Sequence, residues 1–256
     1  MSVLEAVAVL TAGVLAGTIN TIVGSGSLIT FPTLLFIGMP PLVANVSNNI
    51  GLVAGGVTGS WGYRHELSGS SGRLRRLVPL SFVGSVIGAG LLLVLPADAF
   101  RAIVPALIVI ALLLVLLGPR LNRAAAARRD DDEPPGWHLW ATGAGVFVAG
   151  VYGGYFGAAQ GVLLMGIFSA LSSERLQRLN GYKNVLSLVV NAVAALTFIL
   201  FARSSIDWLI VVLIGVGAFL GGLLGARIGR RIPPNALRAV IIVIGVVAVV
   251  KLVGFP

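Results

Sequence analysis

The sequence predicts an all-α, polytopic integral membrane protein made of two inverted five-segment repeats with interrupted helices. Three observations carry that prediction: a scarcity of charge, a series of long apolar stretches, and an internal repeat. Charged residues make up 11% of the 256 positions and apolar residues 57%, with a mean hydropathy of +1.00. An ordinary soluble domain is about 25% charged. Too few charges remain here to cover a water-exposed surface, and the aliphatic content excludes a disordered chain.

Taken in order, a spanning helix of about 20 mainly apolar residues fits 3–23, 43–62, 77–95, 100–117, 137–156, 185–201, 207–226 and 236–253. Two shorter apolar stretches, 28–39 and 159–171, each follow a glycine-rich break. The runs are continuous rather than alternating, which excludes a strand reading. Counting all of them as crossings, about ten in number, gathers the loops 64–76, 118–136, 172–178 and 227–235 on one face. That leaves only Arg101, Arg203 and Lys251 for the other face, with Lys183 inside a membrane segment. The basic face is then cytoplasmic and both termini lie outside, in a cell inner membrane or plasma membrane. On this reading the excess of 18 Lys and Arg over 9 acids is a loop signal and not a nucleic-acid footprint. No basic n-region precedes the first apolar run, so no cleavable signal is expected.

The repeat shows in four markers that recur in the same order. Gly17-Thr-Ile-Asn-Thr-Ile-Val-Gly24 matches Gly150-Val-Tyr-Gly-Gly-Tyr-Phe-Gly157, and Asn45-Val-Ser-Asn-Asn49 matches Asn180-Gly-Tyr-Lys-Asn184. The glycines at 84, 88 and 90 match those at 217, 221 and 222, and Pro96 with Arg101 matches Pro233 with Arg238. Each half holds an odd number of segments, so the second half is inverted relative to the first. The expected organisation is a first repeat over 1–117, a charged cytoplasmic linker over 118–136, and a second repeat over 137–256. The linker carries Arg128-Arg-Asp-Asp-Asp-Glu133-Pro-Pro135, which reads as a solvated connection, with a regulatory site as the alternative. Inverted repeats with broken helices place a binding site near the bilayer midplane between the repeats.

The stretch GTINTIVGSGSLITFP at 17–32, the later GVYGGYFGAAQG at 150–161 and the repeated Asn-rich helix openings resemble the TauE/SafE family of sulfite and organosulfur anion exporters. The similarity covers nearly the whole chain. It implies a secondary transporter of small sulfur-containing anions such as sulfite, sulfoacetate or other organosulfonates, with an anion channel or an uptake permease of the same fold as alternatives.

Read from the residues alone, the candidate substrate-binding groups fall into three sets. The breaks supply Gly24, Ser25, Gly26 and Ser27 in the first half and Gly157 and Gln160 in the second, with Ser25 or Ser27 able to cap the short helix that follows. A helix start inside the membrane presents N–H groups and a positive dipole end, which suits an anion; close helix packing is the alternative use of the glycines. The polar helix openings supply Asn45, Ser47, Asn48 and Asn49, and then Asn180, Tyr182, Lys183 and Asn184, with Asn20 beside them. Amides, hydroxyls and an ammonium can all donate to sulfonate oxygens, and an interfacial cap is the competing role. Lys183 is the sharpest candidate, since an ionisable residue within a membrane segment is costly and usually functional. Its alternative is snorkelling to the interface. Tyr152 and Tyr155 could line the site, with aromatic packing as the favoured role.

The acids Glu5, Glu66, Asp98, Asp130, Asp131, Asp132, Glu133, Glu174 and Asp207 all fall in loops or near segment ends. No mid-span carboxylate is available as a proton relay, and an inside-negative potential drives an anion outward, so the direction predicted is export. There is no cysteine, and His65 and His138 lie far apart; no cofactor and no metal site are expected. Without a nucleophile–base pair or paired carboxylates in the spans, an intramembrane enzyme is not predicted either. The lipid bilayer is the expected environment, and the glycine stripes serve a homodimer as readily as packing within one chain.

Overall fold

A computed structural model of the chain describes residues 1–127, 137–228, 239–247 and 250. Every regular element among them is helical. Nine α-helices follow in order: α1 (Val3–Ile22), α2 (Ser27–Phe36), α3 (Pro41–Gly62), α4 (Ser71–Val94), α5 (Ala97–Ala127), α6 (Trp137–Tyr155), α7 (Gln160–Leu171), α8 (Leu176–Phe201) and α9 (Trp208–Ile228). A 3₁₀ turn at Arg203–Ser205 precedes α9, and residues 239–247 are also helical. The start of α1 is fixed by a capping box, with Glu5 N donating to Ser2 Oγ at 3.3 Å and Ser2 N to Glu5 Oε2 at 2.7 Å. Pro41 at the first position of α3 fits the helix start, where its missing N–H costs nothing.

Among the described residues, five helices are long and apolar enough to cross a membrane: α1, α4, α5 over Asp98–Gly118, α8 and α9. Large apolar side chains such as Val212, Val216 and Leu220 on α9 and Ile110, Leu113 and Leu117 on α5 are exposed, whereas Asn45, Asn48, Asn49, Lys183 and Asn184 are buried. A soluble globule has the opposite distribution. The chain is an all-α, multi-pass membrane protein.

Several sequence boundaries move. The helices α3 and α6 have spanning length, 22 and 19 residues, but not the apolarity expected of the 43–62 and 137–156 segments. In α3 the reason is burial: eleven of its residues pack inside the protein and need not match lipid. The linker expected over 118–136 begins as helix, because α5 continues to Ala127; residues 128–136 lie outside the described residues, as does much of the 236–253 segment. The helix α8 begins at Leu176, well before the expected 185. Its second turn is polar but faces protein, so the helix has no reason to wait for the apolar run. The short helices α2 and α7 hold 10 and 12 residues, a rise of roughly 15–18 Å, about half the hydrocarbon thickness.

The helices pair reciprocally. The α1 helix packs along α9, α4 packs along α6, α3 contacts α9, α8 contacts α4, and α3 and α8 meet each other. Both long pairs are made by glycine. A Cβ at Gly217 or Gly221 would strike the α1 backbone at Leu10 and Val14, and a Cβ at Gly84 or Gly88 would strike the α6 backbone at Phe147 and Val151. With no hydrophobic drive between helices in lipid, such close backbone approach supplies the association through dispersion forces. Hydroxyls add to the helix contacts: Thr18 Oγ1 lies 3.1 Å from the Gly221 carbonyl across the α1–α9 pair, and Ser85 Oγ donates to the Val190 carbonyl at 2.7 Å, joining α4 to α8.

Gly88→Ala therefore forces α4 and α6 apart, with an expected loss of about 1–3 kcal/mol. Gly90→Ala, two residues away, meets nothing within 4 Å and should hold or raise stability slightly. Thermal unfolding of the purified protein in detergent checks both; equal melting temperatures for the two variants would refute the packing account.

Candidate functional site

Where α1 gives way to α2, the chain turns at Gly24 with φ of +91°; where α6 gives way to α7, it turns at Gly157 with φ of +76° and at Ala159 with φ of +58°. The left-handed conformation at Ala159 costs about 1–2 kcal/mol in a residue with a side chain. It is held by its surroundings, since Tyr152 Oη donates to the neighbouring Ala158 carbonyl at 2.6 Å. The two breaks touch. Gly161 N donates to the Gly24 carbonyl at 3.0 Å, and a Cβ on either glycine would strike the backbone of the other.

The break leaves the last carbonyls of α1 without intrahelical donors inside an apolar medium, which membrane structures do not tolerate unless another group donates. Here α8 supplies the donors. Lys183 Nζ donates to the carbonyls of Asn20 and Thr21, both at 2.9 Å, and Asn184 Nδ2 donates to Thr21 at 3.2 Å. The Lys183 stem passes beside both breaks: an added Cβ at Gly24 or Gly161 would lie 3.1 or 3.0 Å from its Cδ. Lys183 is 0% exposed. The side chain does not snorkel; it sits at the negative end of the α1 dipole, where a cation is favoured. Its two partners are neutral carbonyls, and an ammonium has three donors.

Around this point lie buried polar atoms that no partner satisfies among the described residues: Ser25 Oγ in the first break, Gln160 Nε2 at the start of α7, and Ser187 Oγ on α8. The expectation that Ser25 or Ser27 caps α2 is not met. Gly26 occupies the cap position with no side-chain hydrogen bond, and Ser27 is the first helical residue. The α7 start is likewise uncapped by a side chain.

The first Asn cluster is buried but engaged differently. Asn45 Nδ2 donates to the Tyr155 carbonyl at the end of α6, 3.1 Å away. Asn48 accepts from Thr30 Oγ1 on α2, and Ser47 Oγ accepts from Asp207 N at 2.9 Å. Asn49 Nδ2 reaches Asn191 Oδ1 at 3.5 Å, while its own Oδ1 is unpartnered. Asn184, Ser187 and Asn191, spaced at three and four residues, share one face of α8.

Two predicted residues belong elsewhere. Asn180 donates to Tyr63 Oη at 2.8 Å, and Tyr182 Oη donates to Glu174 at 3.0 and 3.1 Å, so both point to the loops beyond the helix. The groups that the structure brings together are Asn20, Gly24, Lys183 and Asn184, with Gly157 and Gln160 on the facing break. Thr21, Gly161, Ser187 and Asn191 were missed from the sequence. Asn191 did leave a signal, an amide inside the apolar run 185–201. No His, Cys, Asp or Glu cluster able to hold a metal ion exists among the described residues.

Comparison with known proteins agrees with this architecture. The profile of the family described as "Sulfite exporter TauE/SafE" matches residues 9–252. The probable membrane transporter protein YfcA of Escherichia coli K12 is 31% identical over 240 residues, covering 93% of this chain and 86% of its own. The probable membrane transporter protein ORF9 of a Sinorhizobium species is 27% identical over 250 residues, with 96% and 91% covered. A probable membrane transporter of Haemophilus influenzae is 24% identical, with 94% and 91% covered. No solved structure matches the chain. A helical bundle with two interrupted helices meeting at a buried lysine, matched end to end by this profile, belongs to the TauE/SafE family of membrane transporters.

Proposed function

We propose that this transporter moves small sulfur-containing anions, namely sulfite, sulfoacetate or other organosulfonates, by alternating access around a site where the two helix breaks meet. The observation that carries the reading is Lys183, a fully buried lysine whose Nζ, among the described residues, is bound to carbonyl oxygens and to no acid. A lone cation in a low-dielectric interior attracts an anion strongly. The N-terminal ends of α2 and α7, each without a side-chain cap, add dipoles of the same sign, although the first α7 amides are engaged by the Gly157, Gly24 and Ala159 carbonyls. The unpartnered Ser25 and Gln160 atoms supply neutral hydrogen bonds to the remaining oxygens.

The organisation proposed is a pair of inverted repeats, 1–117 and 137–256, joined by the charged segment 118–136. The reciprocal pairing of α1 with α9 and of α4 with α6 supports it, because each pair joins the first helix of one repeat to the fourth of the other. Arg178 Nε donates to the Glu66 carbonyl at 3.2 Å and Arg73 pairs with Glu174. The loops carrying these residues thus share one face, the parity expected when α2 and α7 count as crossings. That basic face is proposed as cytoplasmic. Export follows from the membrane potential, which favours outward movement of an anion by about 2.3 kcal/mol per charge per 100 mV.

Flux in proteoliposomes, with sulfite, thiosulfate, sulfoacetate, taurine and chloride compared, tests the reading. Saturable, counterflow-capable flux of a sulfur oxyanion is expected, with kcat/KM falling roughly 10- to 100-fold in Lys183→Ala, the equivalent of one charge-assisted hydrogen bond. Undiminished flux in that variant would remove Lys183 from the site. Sulfoacetate efflux should also rise with an inside-negative potential and stay unchanged when a proton gradient is imposed at fixed potential. Reversal by the proton gradient alone would instead establish proton coupling.

A further inference from the structure

Away from the buried lysine, a second set of donors converges on one carboxylate. Arg73 Nη1 lies 2.6 Å from Glu174 Oε1, Tyr182 Oη, with its one proton, lies 3.1 and 3.0 Å from the two carboxylate oxygens, and Arg178 Nη1 lies 3.5 Å from Oε2. Arg73 is itself positioned by Ser172 Oγ at 3.0 Å, and its guanidinium stands 5.4 Å from the centre of the Tyr182 ring. The donors come from the first turn of α4 and the first two turns of α8; the carboxylate comes from the connection between α7 and α8. The side chains of Arg73, Glu174 and Arg178 are 26%, 22% and 46% exposed. Water, and anything dissolved in it, reaches them.

We infer that Arg73, Arg178 and Tyr182 form an entrance site for an oxyanion on the basic face, and that the Glu174 carboxylate is its resident occupant, displaced by the arriving substrate. This rests on the transport reading above. A carboxylate and a sulfonate each present an edge of two oxygens to the same donors, so the groups that hold Glu174 suit a sulfur oxyanion equally. Partly exposed ion pairs are weak and exchange readily. A substrate that takes Arg73 from Glu174 also removes one of two links between the start of α4 and the α7–α8 connection, the Arg73–Ser172 hydrogen bond being the other. Tyr182 precedes Lys183 in the chain, so the entrance and the buried ammonium stand on consecutive residues of α8.

The test uses the full-length protein in oriented proteoliposomes, with sulfite KM measured separately from each face. Glu174→Gln removes the competing charge and should lower KM on the basic face about two- to fivefold, leaving the opposite face unchanged. Arg73→Gln should raise it. In an Arg73→Gln background the benefit of Glu174→Gln should vanish, since the two act at one site. If the Gln variant does not fold, Glu174→Asp, a shorter and weaker occupant, should again lower KM on the basic face. An unchanged or higher KM in either variant overturns the entrance site, as does a benefit that survives loss of Arg73, which would be a long-range charge effect. Those results leave transport through Lys183 standing. Absence of wild-type flux for sulfite, sulfoacetate and every other sulfur oxyanion tried overturns the transport reading and the entrance with it.

Discussion

A backbone carbonyl stranded inside a membrane must find a donor, and the structure is arranged around meeting that requirement. The α1 helix ends inside the protein at Gly24, and its last carbonyls are taken by Lys183 and Asn184 from α8. The α6 helix ends in a comparable turn, and the carbonyl of its last residue, Tyr155, is taken by Asn45 from α3. These hydrogen bonds let a helix stop at depth without exposing polar backbone to lipid. They also explain why α3 and α8, the helices richest in buried polar side chains among the described residues, meet each other. Each must reach a break while staying shielded by α4 or α9.

The sequence was legible where a residue contradicts its surroundings. Lys183 stands out as a charge in a membrane segment, and the glycine breaks stand out between apolar runs. The all-helical class followed instead from the low charge and the long apolar runs, and the family resemblance from the breaks and the Asn-rich helix openings. Partnership was less legible. Nothing in the chain shows that Lys183 binds the backbone of Asn20 and Thr21 rather than a side chain, because every residue carries the same carbonyl. Asn180 and Tyr182 looked equivalent to Lys183 as polar residues at one helix opening. Successive residues on a helix point about 100° apart, so neighbours in sequence serve different regions. Asn191 and Ser187 were overlooked because a single amide or hydroxyl barely lowers the apolarity of a long run.

Packing and polarity are linked by the same glycines. Close approach of α1 to α9 and of α4 to α6 removes the space that larger side chains would fill. The tight backbone packing there supports the polar interior, whose unpartnered atoms at Ser25, Asn49, Gln160 and Ser187 are costly in a protein without a ligand to meet them. Such atoms are expected where a polar solute is to be received.

With the halves related as proposed, Lys183 falls at the position that Asn48 holds in the other half. An assembly of two identical chains must present every internal feature twice. Two copies of the first half would therefore offer an amide on each side and no charge. Two copies of the second would bring a pair of ammonium groups into one interior, where they repel. A solitary charge beside a pseudo-twofold axis needs two unlike halves, and joining them in one chain lets each diverge without obliging the other to follow.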